Sequence, residues 1–142
     1  MTQEEKQALI RAAVKARAFS YCPYSGFSVG AALLGKSGAV YTGCNVESAS
    51  YTPTQCAERT ALGKAVSEGE REFTAIAVVG GKAGQAPGGY TSPCGVCRQM
   101  LYEFGAQSLL VLMARSEQDF QERTLGELLP MGFGPDMMRE EA

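Results

Sequence analysis

The stretch TSPCGVCRQM, residues 91–100, sets Cys94 and Cys97 three positions apart at what reads as the start of a helix. A pair at that spacing can form a redox disulfide, contribute to a closed structural zinc site, or hold a catalytic metal. A third cysteine, Cys56, opens a second helical stretch, CAERTALGKAVSEG, and Glu58 follows it by two residues. The chain has five cysteines and no histidine. Any zinc site must therefore be built from thiolates and carboxylates, and any general acid or base must be something other than imidazole.

The residues around the pair separate these choices. A redox CxxC gains from a helix start, which stabilises thiolates, but it should follow the first strand of its fold with an aromatic residue in front. Here the pair comes late, behind Pro93, in a chain without tryptophan. A closed zinc site needs four protein ligands, and Cys22 or Cys44 would have to be the fourth. Cys22 stands beside Pro23 in a polar connection and reads as an exposed thiol, while Cys44 ends a strand and reads as a small core residue. Neither offers paired spacing with Cys56.

Three thiolates and one open position fit better, because a catalytic zinc keeps a place for water and makes that water more acidic. Glu58, on the first turn after Cys56, can face the open position without ligating the metal, as a proton shuttle must. Three anionic sulfurs outweigh the charge of Zn²⁺ and should weaken the acidity it confers. Arg59, next to Glu58, is expected to draw charge off the sulfurs together with the two helix N-termini, and Arg98 is a second cation to consider there.

The remaining composition limits the partners. A chain of 142 residues that is 45% hydrophobic suits one globular domain over 1–142. Thirteen basic against fifteen acidic residues give a net charge of -2. No block of lysines or arginines forms the basic face that a nucleic-acid binder presents. Charges run through the first twenty residues and no later stretch reaches membrane-spanning length, so the expectation is a soluble, cytoplasmic protein with no membrane partner. In that reducing compartment an odd number of cysteines is poor material for a disulfide framework.

The elements that must position these residues follow from periodicity and punctuation. Thr2 and Glu5 form a capping box ahead of a helix over 3–18, with Leu9, Ile10, Ala13, Val14 and Ala16 as its apolar stripe. FSVGAALLG (27–35) and AVYTGCNV (39–46) flank Lys36-Ser37-Gly38 as a hairpin. A helix runs from Cys56 to a cap at Gly69, and FTAIAVVGG (73–81) is a buried strand. After a glycine- and proline-rich loop comes the helix 94–105, the strand 108–114, and a closing strand near 119–123. Thr124 and Glu127 make a second capping box. The order predicts a three-layer α/β/α sandwich on a mixed five-stranded sheet. Both cysteine helices start beyond strand ends, where ligands collect in such sheets.

A metal ligand, one residue, a glutamate and a later Pro-Cys-x-x-Cys is the pattern of zinc deaminases, with three cysteines as one variant. The chain resembles the small, homotetrameric cytidine deaminases over nearly its whole length. The resemblance rests on YSGFSVGAAL (24–33), GCNVESASY (43–51), CAERTAL (56–62), SPCGVCRQ (92–99) and ELLPMGFGP (127–135), in that order. It implies that Cys56, Cys94 and Cys97 bind one Zn²⁺ per subunit. Glu58 would move protons between the attacking water, ring N3 and the departing ammonia. It also implies that Asn45 and Glu47 bind ribose hydroxyls, that Phe27 packs near the base, and that the backbone at Ala57 and Ser92 reads the base's polar edge. Asparagine offers both a donor and an acceptor for such work, and an ionised glutamate accepts from a hydroxyl.

Phe133 and Tyr51 are expected to reach the active site of a neighbouring subunit in a homotetramer with shared sites. One departure is Ser48, where the family often has asparagine, which touches the local hydrogen-bonding and substrate breadth. The implied reaction is deamination of cytidine and 2′-deoxycytidine in pyrimidine salvage. An aminohydrolase for a cytosine-containing antibiotic is the nearest competitor, and Asn45-Val46-Glu47 favours ribose over it. Nucleic-acid editing fits the acidic balance poorly. A zinc-binding interaction module leaves Glu58 without a purpose.

Overall fold

Residue alternation along the central strands sorts the core into two faces. The computed structural model describes residues 1–139. Successive strand residues point to opposite sides of a sheet. Along β3 (Phe73–Lys82), Ala75, Ala77 and Val79 face one side while Ile76 and Val78 face the other. β1 (Phe27–Gly35) divides in the same way, with Ala32 on the first side and Ala31 and Leu33 on the second. So does β4 (Leu110–Ala114), with Leu112 and Ala114 against Val111 and Met113.

Helix α1 (Gln3–Arg17) covers the first, alanine-rich face with Leu9, Ile10 and Ala13. The capping box of Thr2 and Glu5 is formed. Val14, read as part of the apolar stripe, is exposed instead, because it lies at the margin of the face that meets the sheet. The second face carries α2 (Ala57–Ser67) through Ala61, Leu62 and Ala65, and α3 (Gly95–Gly105) through Leu101 and Tyr102. Helices therefore cover both sides of the sheet, as the element order predicts.

The sheet has five strands in the order β2-β1-β3-β4-β5, with β2 at Val40–Cys44 and β5 at Phe120–Thr124. β1 is antiparallel to both β2 and β3, β3 and β4 are parallel, and β5 returns antiparallel to β4. The parallel pair needs a crossover, which α3 provides. The register sets Phe27 opposite Lys82 and Gly30 opposite Cys44. The start of β1 and the ends of β2 and β3 thus share one edge of the sheet. The loops that lead to α2 and α3 begin there.

Two boundaries differ from the sequence reading. β2 stops at Cys44 rather than at residue 46, because the Asn45 side chain takes over from the backbone ladder: its Oδ1 accepts from Val29 N at 2.9 Å. β4 begins at Leu110 because a 3₁₀ turn, Ala106–Ser108, follows α3. Gly69 sits at φ +99°, the left-handed conformation that ends α2. Thr124 and Glu127 cap a single turn, α4 (Leu125–Leu128). No helix among the described residues is long and apolar enough to cross a membrane.

Candidate metal centre and cleft

Cys56 and Cys94 are the N-cap residues of α2 and α3, each in extended conformation, and neither sulfur caps its own helix. Both are therefore free to turn toward the gap between the helices. Cys97, one turn into α3, is fully buried beneath them. The three sulfurs lie within 4.8 Å of one another, and those of Cys56 and Cys94 are 3.8 Å apart. Zinc with Zn–S bonds of about 2.3 Å holds tetrahedrally placed sulfurs about 3.8 Å apart, so this thiol set fits zinc.

The electrostatics of the cluster favour an anionic sulfur at Cys56. The Cys97 thiol, hydrogen-bonded to Cys56, holds Cys56 down at about 5, with Arg59 and Cys94 contributing in the same direction. The same hydrogen bond, together with burial, pushes Cys97 up. Arg59 Nη2 donates to Cys56 Sγ at 3.5 Å, and the guanidinium is pushed up chiefly by that contact. Arg59 Nε is buried and has no hydrogen-bond partner among the described residues.

Glu58 is 4% exposed, and burial pushes its carboxyl up to about 7. The close approach of β2 to the first turn of α2 depends on Gly43. A Cβ there would stand 2.5 Å from Ala57 O and 2.6 Å from Ala61 N.

A cleft of about 310 Å³ opens over this centre. Phe27, Asn45, Glu47, Cys56, Ala57, Glu58, Ser92 and Cys94 all line it, so residues expected from sequence to act together meet in one place. A larger cavity of about 540 Å³ between the end of α3 and residues 131–139 holds none of the cysteines. Chemistry, not size, identifies the site. Gly80 lets the lining residues Thr91 and Phe27 pack closely on β3: a Cβ there would stand 2.6 Å from Thr91 Oγ1 and 2.9 Å from the Phe27 ring.

Asn45 and Glu47 line the same cleft, each held by several bonds. Asn45 is 8% exposed. Its Oδ1 accepts from Val29 N and from the Ser20 hydroxyl, and its Nδ2 donates to Phe27 O at 2.8 Å. The side-chain oxygen is thus engaged, and what the group retains for a ligand is its second N–H. This corrects the expectation that Asn45 offers both a donor and an acceptor. Glu47 accepts from Tyr24 N, Ser25 N and Ser25 Oγ, and the Ser25 hydroxyl is the main cause that holds its carboxyl below the usual range.

The other expectations fall outside the cleft. Tyr51 is 71% exposed at φ +63° and meets Tyr24 edge-on, with ring centroids 6.2 Å apart. Phe133 is exposed beside α3, where its carbonyl accepts from Gln99 Nε2 at 2.6 Å. Arg98 is not directed at the sulfurs. Its Nε and Nη1 donate to Pro93 O and Leu128 O, both at 2.7 Å, and so tie the loop before Cys94 to α4. Cys22 and Cys44 do not join the cluster, and burial pushes the Cys44 thiol up. Ser48 keeps its bonds local, with its N–H on Thr54 Oγ1 and its hydroxyl on Ser50. Ser25 and Thr91 also line the cleft and were not singled out from sequence. The Ser-Gly turn before β1 was a visible signal, but its contact with Glu47, 22 positions away, was not.

Residues 3–113 match the family model described as the cytidine and deoxycytidylate deaminase zinc-binding region. A cytidine deaminase of Halalkalibacterium halodurans is 47% identical over 136 residues, which covers 96% of this chain and 99% of the relative. One of Sporosarcina psychrophila is 46% identical over 130 residues, covering 92% of each. The crystal structure of the cytidine deaminase from Burkholderia pseudomallei superposes with a TM-score of 0.82 at 47% identity, over 94% of this chain and all of the other. Three thiols at zinc spacing, a buried glutamate beside them and these likenesses agree: the chain belongs to the zinc-binding cytidine and deoxycytidylate deaminase family.

Proposed function

We propose that the protein hydrolyses cytidine and 2′-deoxycytidine to uridine and 2′-deoxyuridine with release of ammonia. The observation that carries this reading is the buried carboxyl of Glu58 beside three converging thiols, in a cleft that Asn45 and Glu47 also line. Relatives named as cytidine deaminases support the choice of base.

Cys56, Cys94 and Cys97 would hold one zinc per subunit, which would supply Lewis-acid chemistry that makes a water more acidic. Glu58 takes the proton from the attacking water and delivers it to ring N3 of the pyrimidine. As the water oxygen bonded to C4 becomes the carbonyl, Glu58 takes the proton of that hydroxyl and passes it to the exocyclic amine, which leaves C4 as ammonia while N3 keeps the first proton. A carboxyl held up to about 7 exchanges protons in both directions near neutral pH. Arg59 donates to the sulfurs and so limits the charge they pass to the metal.

At the sugar end, the remaining N–H of Asn45 donates to a hydroxyl and Glu47 accepts from one. Phe27 lies against the base, and the backbone at Ala57 and Ser92 meets its polar edge. In a homotetramer the exposed Tyr51 and Phe133 would complete a neighbour's cleft and exclude water from it. A role in pyrimidine salvage in the cytoplasm accords with free thiols and a metal site made of thiolates.

The test is to supply purified protein with cytidine or 2′-deoxycytidine and follow uracil-nucleoside formation and ammonia, with metal analysis in parallel. The expected result is one zinc per chain and turnover of both nucleosides. Absence of zinc, or zinc without turnover of either, would overturn the reading.

A further inference from the structure

We propose that Ser25 is a positioning residue for nucleoside binding, whose hydroxyl, itself held by the Phe27 N–H at the start of β1, orients the Glu47 carboxylate in the cleft. The inference rests on the nucleoside reading above and adds to it a residue that touches neither the metal nor the reacting atoms.

Two backbone donors, Tyr24 N at 3.0 Å and Ser25 N at 3.1 Å, both reach Glu47 Oε1. The other carboxylate oxygen, Oε2, is met by Ser25 Oγ at 2.5 Å. The same hydroxyl oxygen accepts from Phe27 N at 3.0 Å. A serine hydroxyl has one proton and two lone pairs. Here the proton goes to Glu47 and one lone pair receives the first N–H of β1. One atom therefore joins the carboxylate expected to receive a sugar hydroxyl to the strand start that carries the aromatic wall.

The surroundings leave this task to Ser25. The small pocket around Glu47 is lined by Tyr24, Ser25, Tyr51 and Thr54, with no lysine or arginine among them to fix the carboxylate by charge. The turn itself is anchored from both sides: Gly26 N donates to Cys22 O at 3.0 Å, and Gly26 O accepts from Ala83 N at 2.9 Å. Gly26 sits at φ +67°, a conformation that glycine adopts without strain. The backbone thus presents the Ser25 hydroxyl from a fixed place. Without it, Oε2 loses its donor and the Phe27 N–H loses this acceptor. Glu47 would then rotate about a single pair of contacts to Oε1.

The experiment compares wild type, Ser25→Ala and Ser25→Thr, each checked for zinc content and thermal melting, on 2′-deoxycytidine and on 2′,3′-dideoxycytidine, which lacks the 3′-hydroxyl that 2′-deoxycytidine carries. For Ser25→Ala the expected result is a rise in KM for 2′-deoxycytidine of roughly tenfold, the scale of one hydrogen bond to a charged group. Its kcat should be nearly unchanged, and kcat/KM for the dideoxynucleoside should change by less than about twofold because it has no 3′-hydroxyl for Glu47 to receive. Ser25→Thr, which keeps a hydroxyl, should restore most of the difference.

Equal losses on both nucleosides, or none on either, would overturn the proposal. So would loss of zinc or of the melting transition in both variants, which would assign Ser25 a structural role. A wild type that deaminates neither nucleoside ends the nucleoside reading and this inference with it, and only the wild-type arm can give that result.

Discussion

Arg59 donates from Nη2 to the Cys56 sulfur at 3.5 Å, and its Nε, buried alongside, has no hydrogen-bond partner among the described residues. The half-buried residue after the buried glutamate therefore reaches the cluster with its guanidinium. Arg59→Ala is expected to lower zinc affinity or turnover by about 10–100-fold, the range seen when a group bonded to a metal ligand is removed. Arg59→Lys should rescue little, because an ammonium lacks the planar fork that serves two acceptors. Steady-state rates with a zinc titration check this. Unchanged affinity, rate and pH profile would remove Arg59 from the site.

Glu58→Gln should keep the fold and the metal, since the amide is close in shape to the carboxyl it replaces. It should lose turnover by roughly 10²–10⁴-fold, the usual worth of general acid–base catalysis, because one side chain serves each proton transfer. Single-turnover assays on zinc-loaded protein measure it. A variant that keeps most of its rate would assign the proton transfers elsewhere.

Zinc held by Cys56, Cys94 and Cys97 would join the N-termini of α2 and α3, so its removal should loosen that end without dissolving the core. The apolar clusters on the two sheet faces contain only Cys-free contacts between strands and helices. Chelated protein is expected to keep its far-UV circular dichroism and melt at a lower temperature. At free zinc about a thousandfold above Kd the metal contributes about 4 kcal/mol. For a chain of this size that corresponds to a Tm difference on the order of 10 °C. Identical melting with and without chelator would place the metal elsewhere.

Glu47 is held below the ordinary carboxylate range chiefly by the Ser25 hydroxyl. A carboxyl whose folded pKa is depressed adds stability that is present above its unfolded value and is lost as pH falls through the folded one. Affinity for a nucleoside should follow the same direction, holding steady through the ordinary glutamate range and weakening only below it. Ser25→Ala should bring the midpoint back up. An NMR titration of the Glu47 carboxyl carbon reads both values without turnover, and equal midpoints in wild type and variant would contradict the prediction.

The chemistry was largely legible in the chain because it lies in short local patterns. Cys94 and Cys97 share one helical turn, Cys56 and Glu58 another, and the absence of histidine restricts the ligands to thiolates and carboxylates. The layers were legible for a similar reason: Ala75 to Val79 alternate with the period of a strand, and both capping boxes announce their helices.

What escaped was long-range and directional. Arg98 has the composition of a counterion, yet it is drawn to the carbonyls of Pro93 and Leu128. Asn45 has two polar functions in sequence and keeps one for a ligand, because Val29 N and Ser20 already fill its oxygen.

By itself, then, the sequence determined which atoms are available: three sulfurs, one carboxyl beside them, and the helix starts that carry them. The tertiary structure alone decided which of those atoms face one another. The antiparallel pairing of β1 with β2 and β3 brings Phe27, Cys44 and Lys82 to one sheet edge. It thereby converts separations of tens of residues into hydrogen-bond distances that no local pattern encodes.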